Sequence, residues 1–218
     1  MKKMILAVIL VSMALTANAA PIVLTFEGLQ NYESIGGFYS GGAGSLGSSG
    51  PNLGITFSTN TLAIIDADAG GSGNFGGEPS PSTIMFFLEG DSAIMNVLAG
   101  FDTGFSFFYS AINNPGSVNV YDNFDGIGNI LASLDIPTTL SDGGDPNGNF
   151  SPFFGIGVGF SGIAKSVSFA GVQDQIGFDD ITFGSVTPGG VVPEPSTALL
   201  LGIGLIGTAL AGRRMRRA

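Results

Sequence analysis

The sequence predicts an all-β body, a jelly-roll-like β-sandwich, set between two short terminal signals. Three observations carry this. β-prone apolar runs of about four to eight residues recur along the body, each bounded by Gly, Asn, Asp or Pro, which is the pattern of short antiparallel strands. No stretch of the body keeps a helical period over about twelve residues. All 18 phenylalanines lie between Phe26 and Phe183, while the 36 glycines gather mostly between the runs, so a phenylalanine core alternates with turns. About ten strands in one domain of this length suit two packed sheets.

The runs, in order, are Ile22–Glu27, Gly54–Ser58, Ala63–Asp66, Thr83–Leu88, Gly104–Tyr109, Ser117–Tyr121, Ile130–Asp135, Gly155–Phe160, Ser166–Phe169 and Ile176–Phe183. Residues 117–136 read as a hairpin, two alternating runs around the turn-rich Asp125-Gly126-Ile127-Gly128-Asn129. The segment 36–54 is rich in Gly and Ser and predicts a surface loop with little to bury. Residues 66–81 and 141–152 predict two more polar loops, and 185–191 a short linker. The predicted organisation is a signal peptide at 1–19, the sandwich at 20–184, the linker at 185–191 and a terminal signal at 192–218.

Composition excludes several chemistries. Of 17 acidic residues only Glu194 lies outside 20–191, and of seven basic residues only Lys165 lies inside, so the body has a formal charge of −15. Such a surface repels nucleic acid and anionic headgroups and attracts divalent cations. Cysteine and histidine are absent. That removes disulfides, Ser-His-Asp and Cys-His nucleophiles, ordinary zinc sites and haem ligation by His. Lys165, in Ala164-Lys165-Ser166-Val167-Ser168, reads as an ordinary strand-start residue rather than the base of a Ser-Lys pair. Carboxylate-pair chemistry of the glycosidase kind stays open, because sixteen acidic residues always allow some pair to be drawn.

Both ends describe an export route. Lys2 and Lys3 precede an apolar Met4 to Leu15, and Ala17-Asn18-Ala19 offers small residues where a signal peptidase reads, so cleavage is expected between Ala19 and Ala20. Twelve apolar residues are too few to span the ~30 Å of a bilayer core at ~1.5 Å per residue. At the other end, Val192-Pro193-Glu194-Pro195 is held extended by its prolines. An apolar stretch from about 197 to 212 follows, able to satisfy its backbone in lipid only as a helix. Arg213, Arg214, Arg216 and Arg217 then hold that end on the cytoplasmic side. This order resembles the PEP-CTERM sorting signal. The resemblance implies a transient inner-membrane anchor, processing by an exosortase, and a biofilm or exopolysaccharide setting in a Gram-negative bacterium. Some family naming attaches an ice-binding label to such tails; the body has only the isolated Thr138-Thr139 where a regular array would be wanted.

More weakly, the body resembles jelly-roll domains that precede such signals and share a shape with carbohydrate-binding modules. Leu24-Thr25-Phe26-Glu27-Gly28-Leu29 and Gln175-Ile176-Gly177-Phe178-Asp179-Asp180-Ile181-Thr182-Phe183 carry this. It implies neighbouring first and last strands whose acidic residues Glu27, Asp179 and Asp180 hold a structural calcium, since calcium takes six to eight hard oxygens. The alternative is that these are solvated strand-end carboxylates. The loop Asp66-Ala67-Asp68-Ala69-Gly70 through Glu78 opens like a calcium loop, but its fifth position is Gly and its Glu falls at position thirteen, not twelve. In Asp142 to Asn149 the Asp and Asn residues are explained by turn formation.

Three functions follow from these residues. The first is a non-enzymatic surface or matrix protein. The second is a calcium-dependent carbohydrate-binding module, for which Tyr32 and Tyr39 are the expected exposed rings and Tyr109 a core one. The third is a carboxylate-type glycan-acting enzyme.

Overall fold

Side chains that alternate between buried and more accessible along 92–97, 117–121 and 133–136 set the pleat of a two-sheet protein. The computed structural model describes residues 21–143 and 148–189. Those residues belong to one compact unit. The signal-peptide residues Ala17, Ala19 and Ala20 lie outside the described residues, as do the sorting motif Val192 to Pro195, the 197–212 stretch and Arg213 to Arg217. So do 144–147 of the third loop. No helix among the described residues is long and apolar enough to cross a membrane.

Eleven strands are described: β1 (Ile22–Leu24), β2 (Ile55–Phe57), β3 (Thr61–Ile65), β4 (Thr83–Phe87), β5 (Ser92–Phe101), β6 (Gly104–Ser110), β7 (Gly116–Tyr121), β8 (Ile130–Ile136), β9 (Phe154–Gly159), β10 (Ala164–Gly171) and β11 (Gly177–Phe183). One sheet runs β3-β4-β11-β6-β9, with β1 also against β11; the other runs β2-β5-β10-β7-β8. All pairings between these strands are antiparallel. The chain ends meet through Ile22↔Phe183 and Leu24↔Ile181. The hairpin predicted at 117–136 is β7–β8, and Asp122 closes its turn by accepting from the Asn129 backbone N–H at 2.8 Å.

Phenylalanine joins the sheets. Phe169 of β10 meets Phe178 of β11 at 5.0 Å between ring centroids, and Phe105 and Phe107 of β6 at 6.1 Å each. Phe105, Phe107, Phe169 and Phe178 are all fully buried. The Phe169–Phe178 and Phe107–Phe169 contacts are edge-to-face, an arrangement that adds ~0.5–1.5 kcal/mol per pair to the burial of the rings.

Two expectations need correction. The sequence reading places no strand between 88 and 104, yet β5 there is the longest strand and an interior strand of its sheet, paired to β2 and β10. Ala93, Met95 and Val97 point inward with period two, but Ser92, Asn96 and the tail Leu98-Ala99-Gly100 break the apolar run that marks strands elsewhere. The 36–54 loop is not an empty surface segment either. Ile35 at its foot and Phe38 and Tyr39 within it are buried in the main core. The loop folds back on Glu33, whose carboxylate accepts from the backbone N–H groups of Gln30, Leu46 and Ser48 at 2.7, 2.9 and 3.0 Å. Gly44 is required here because a Cβ would overlap the Glu33 carboxylate.

Candidate functional site

β1 ends at Leu24, and Phe26 takes a left-handed φ of 63°, which turns the chain so that Glu27 reaches the start of β4. Its Oε1 accepts from the Ser82 and Thr83 backbone N–H groups at 2.9 and 2.8 Å. On β11 the pairing with β6 shifts between Asp179 and Thr182, and Asp180 in this bulge has φ of 47°. Asp179 is fully buried. It accepts from the Ser80 backbone N–H at 2.8 Å and the Asp180 N–H at 2.7 Å, and the Ser80 hydroxyl lies 2.8 Å from each of its oxygens. Burial pushes Asp179 up to about 7 despite the Ser80 hydrogen bonds, with the Asp180 charge adding to the rise. Burial also raises Asp180, helped by the charge of Glu27.

The structure therefore brings Glu27 and Asp179 to residues 80–83, with Asp180 next along the β11 bulge. Glu27 and Asp179 are bound there by donors from the chain, so Asp179 is no solvated strand-end residue. Among the described residues, no group of three or more His, Cys, Asp or Glu side chains stands ready to hold a metal ion.

Beside this clasp lies a hollow of about 320 Å³ lined by Asp66, Asp68, Gly77, Glu78, Pro79, Ser80 and Pro81. Asp66 is 3% exposed. Burial pushes it up to about 6, and the Asp68 carboxylate within hydrogen-bonding reach adds to the push. Burial pushes Glu78 up to about 7, with the charges of Asp66, Asp68 and Glu27 adding in that order. The loop that carries these residues is built rather than slack. Gly71 donates to the Asp66 carbonyl at 2.8 Å, and a Cβ at Gly71 would overlap the Ile65 carbonyl.

A second concavity, about 380 Å³, opens on the outer face of β3 and β4. Its floor is Ile64, Phe75, Ile84 and Phe86, members of a small hydrophobic cluster separate from the main core. Tyr32, 46% exposed, stands at its edge with its ring 6.1 Å from Phe86, and Asn74, Asn113 and Gln175 supply amides. Of the expected exposed rings, Tyr32 is exposed and Tyr39 is not. Tyr39 is 4% exposed, in edge contact with Phe26 and Phe38, and its hydroxyl accepts the Phe26 N–H at 2.8 Å. Tyr109 is buried, as expected. Lys165 lies in β10, where its ammonium donates to the Leu98 carbonyl at 3.2 Å and sits over the Phe124 ring.

No curated protein matches this chain in sequence. Among solved structures it is similar to the K2 cleaved adhesin domain of Lys-gingipain, with 14% identity over 75% of this chain and 99% of that one and a TM-score of 0.47. It is also similar to a family 6 carbohydrate-binding module, with 15% identity over 59% and 85% of the two chains and a TM-score of 0.38. A third is TmCBM61, solved with beta-1,4-galactotriose, with 14% identity over 71% and 97% and a TM-score of 0.37. Likenesses this distant support no inference about ligand or activity. The terminal match is of another kind. Residues 191–217 fit the family model of the PEP-CTERM protein-sorting motif, which marks this chain as an exported protein carrying an exosortase-type sorting signal at its C-terminus.

Proposed function

We propose that this is a non-enzymatic cell-surface or extracellular-matrix protein of a Gram-negative bacterium. It is exported by its N-terminal signal, anchored briefly by its C-terminal segment and processed by an exosortase in an exopolysaccharide setting. The observation that carries the reading is the sorting motif at 191–217 behind a β-sandwich. Against catalysis, His and Cys are absent from the sequence, and the Glu27 and Asp179 carboxylates are occupied as hydrogen-bond acceptors. The mature protein recovered from its host should begin at Ala20 and end near Pro193 to Pro195, as read by intact mass. A mature chain that still carries Arg213 to Arg217 defeats this route. A glycan-hydrolysis screen of the same material should be blank; turnover would favour the carboxylate-type enzyme.

The groove beside Tyr32 favours a second reading, polysaccharide binding. Sugars stack an apolar ring face on an aromatic side chain and offer hydroxyls to amides, and this concavity provides both. Titration calorimetry with acidic and neutral polysaccharides should show binding that Tyr32→Ala removes. Equal binding by the variant excludes the groove.

A calcium ion shared by Glu27, Asp179 and Asp180 would staple the first and last strands. In its support, Asp180 feels the charge of Glu27, and both lie beyond the Leu24↔Ile181 end of the β1–β11 pairing. Binding there would have to compete with the donors of Ser80, Ser82 and Thr83.

A further inference from the structure

β11 ends at Phe183, but the chain does not leave the body there. Gly184, at φ of 77°, donates to the Gly104 carbonyl at 2.9 Å and turns residues 185–189 back over the sheet. Phe105, Phe107 and Phe183 point into the main core, so Ser106 and Thr182 face the other way, toward this segment. Both ends of it are tied. The Ser106 hydroxyl donates to the Ser185 carbonyl at 2.9 Å, and the Gly189 N–H donates to the Thr182 hydroxyl at 3.0 Å. Between them the Thr187 N–H donates to the Ser185 hydroxyl at 3.1 Å. Ser106 and Thr182 are fully buried, although both are polar. The neighbouring edge strand β9 is shaped to receive the segment. Gly155, Gly157 and Gly159 alternate with Ile156 and Val158, and a Cβ at Gly157 would overlap the Val186 carbonyl. A Cβ at Gly155 would stand 3.3 Å from Pro188, and one at Gly159 3.6 Å from Val186 Cγ1. Glycine weakens a strand interior, and it is found where another backbone approaches closely. Over 185–189 the expected linker is thus a strap lying in a glycine track.

We propose that this strap controls access to the sorting motif: docked, it withholds the motif from the processing enzyme, and the released form is the substrate. The proposal rests on the exosortase route given above. Only residues 190 and 191 stand between Gly189 and Val192, so the motif begins within about 10 Å of chain from the last tied residue. An enzyme that reads Val192 to Pro195 as an extended peptide must also close around the residues before it. A folded sandwich that near obstructs the approach. Release of the strap frees all of 185–191 and lengthens the tether from Gly184 to about 25 Å. The processing rate then scales with the fraction of chains whose strap is released. Release is within reach of local opening, because side-chain ties at Ser106 and Thr182 hold the ends and Val186 is 53% exposed.

Pulse-chase of the full chain in its host, with loss of Arg213 to Arg217 followed by intact mass, tests the strap. Ser106→Ala removes the tie to Ser185, and Val186→Ser weakens the contact with Gly104 and Gly159. Each should speed trimming by about two- to tenfold, the effect of losing one modest interaction from the docked form. A flexible Gly-Ser spacer inserted between Val191 and Val192 should speed the wild type similarly and make trimming indifferent to Ser106→Ala. Hydrogen exchange on the trimmed wild type should find the Thr187 and Gly189 N–H groups slowed. Ser106→Ala should lose that protection while the amides of β6 and β11 keep theirs, which also shows that the variant folds. Trimming at one rate in the wild type and both variants overturns the proposal, as does slower trimming of the variants. A wild type that keeps Arg213 to Arg217 defeats the sorting route instead, and the proposal falls with it even where exchange finds the strap protected.

Discussion

Glu33 shows how much one buried charge can organise. It is fully buried, yet its pKa is lowered: burial would raise it, but hydrogen bonds from Ser48, Gln30 and Leu46 outweigh that effect. Three backbone N–H groups of the 30–48 segment depend on its two oxygens. Glu33→Ala should destabilise the sandwich by about 3 kcal/mol in urea unfolding, because it leaves buried donors without partners. A depressed folded-state pKa means that the unfolded chain binds the proton more readily, so this contribution is complete above the ordinary glutamate range and disappears as pH falls through the folded value. The acid-side slope of stability against pH should therefore be shallower in Glu33→Gln than in the wild type. Asp179 has the opposite sign. Raised to about 7, it favours the folded state at low pH and loses that contribution as pH rises from about 4 to 7.

At the scale of elements, β5 and the 66–81 loop separate what pattern can reveal from what it cannot. Met95 in β5 is fully buried, and its neighbours are Phe57 of β2 on one side and Val167 of β10 on the other. Met95→Ala should cost about 2–5 kcal/mol by calorimetry or urea unfolding, comparable to a substitution in strands that the apolar pattern marks plainly. A cost below about 1 kcal/mol would mean that β5 is peripheral to the core. The period-two alternation of Ala93, Met95 and Val97 was the available signal, but Asn96 among them and the glycine at 100 hid it. For the 66–81 loop the sequence shows two aspartates and a distant glutamate. Only the fold-back at Gly71 puts Glu78 into the same hollow.

For the whole molecule, the route and the body are legible by different means. The terminal motif is contiguous, with proline pair, apolar stretch and arginines in a fixed order, so it can be read without a structure. The two-sheet class is legible as well, since strand-length apolar runs with glycine-rich breaks admit few other architectures. The pairing of β1 with β11 came from resemblance and is present in the structure.

What the sequence by itself determined is local or compositional: the sorting signal, the −15 body, the phenylalanine core, the β7–β8 hairpin and the absence of His and Cys chemistry. Only the tertiary structure decided which sheet each strand joins, that Tyr39 is core while Tyr32 faces solvent, and that Asp179 is buried against Ser80, 99 residues away in the chain. Only it placed Asp66, Asp68 and Glu78 around one hollow. The reason is physical. Composition and period act over a few residues, whereas burial and ligand geometry arise from contacts between distant segments, and a residue's chemistry depends on neighbours that its own stretch of chain does not contain.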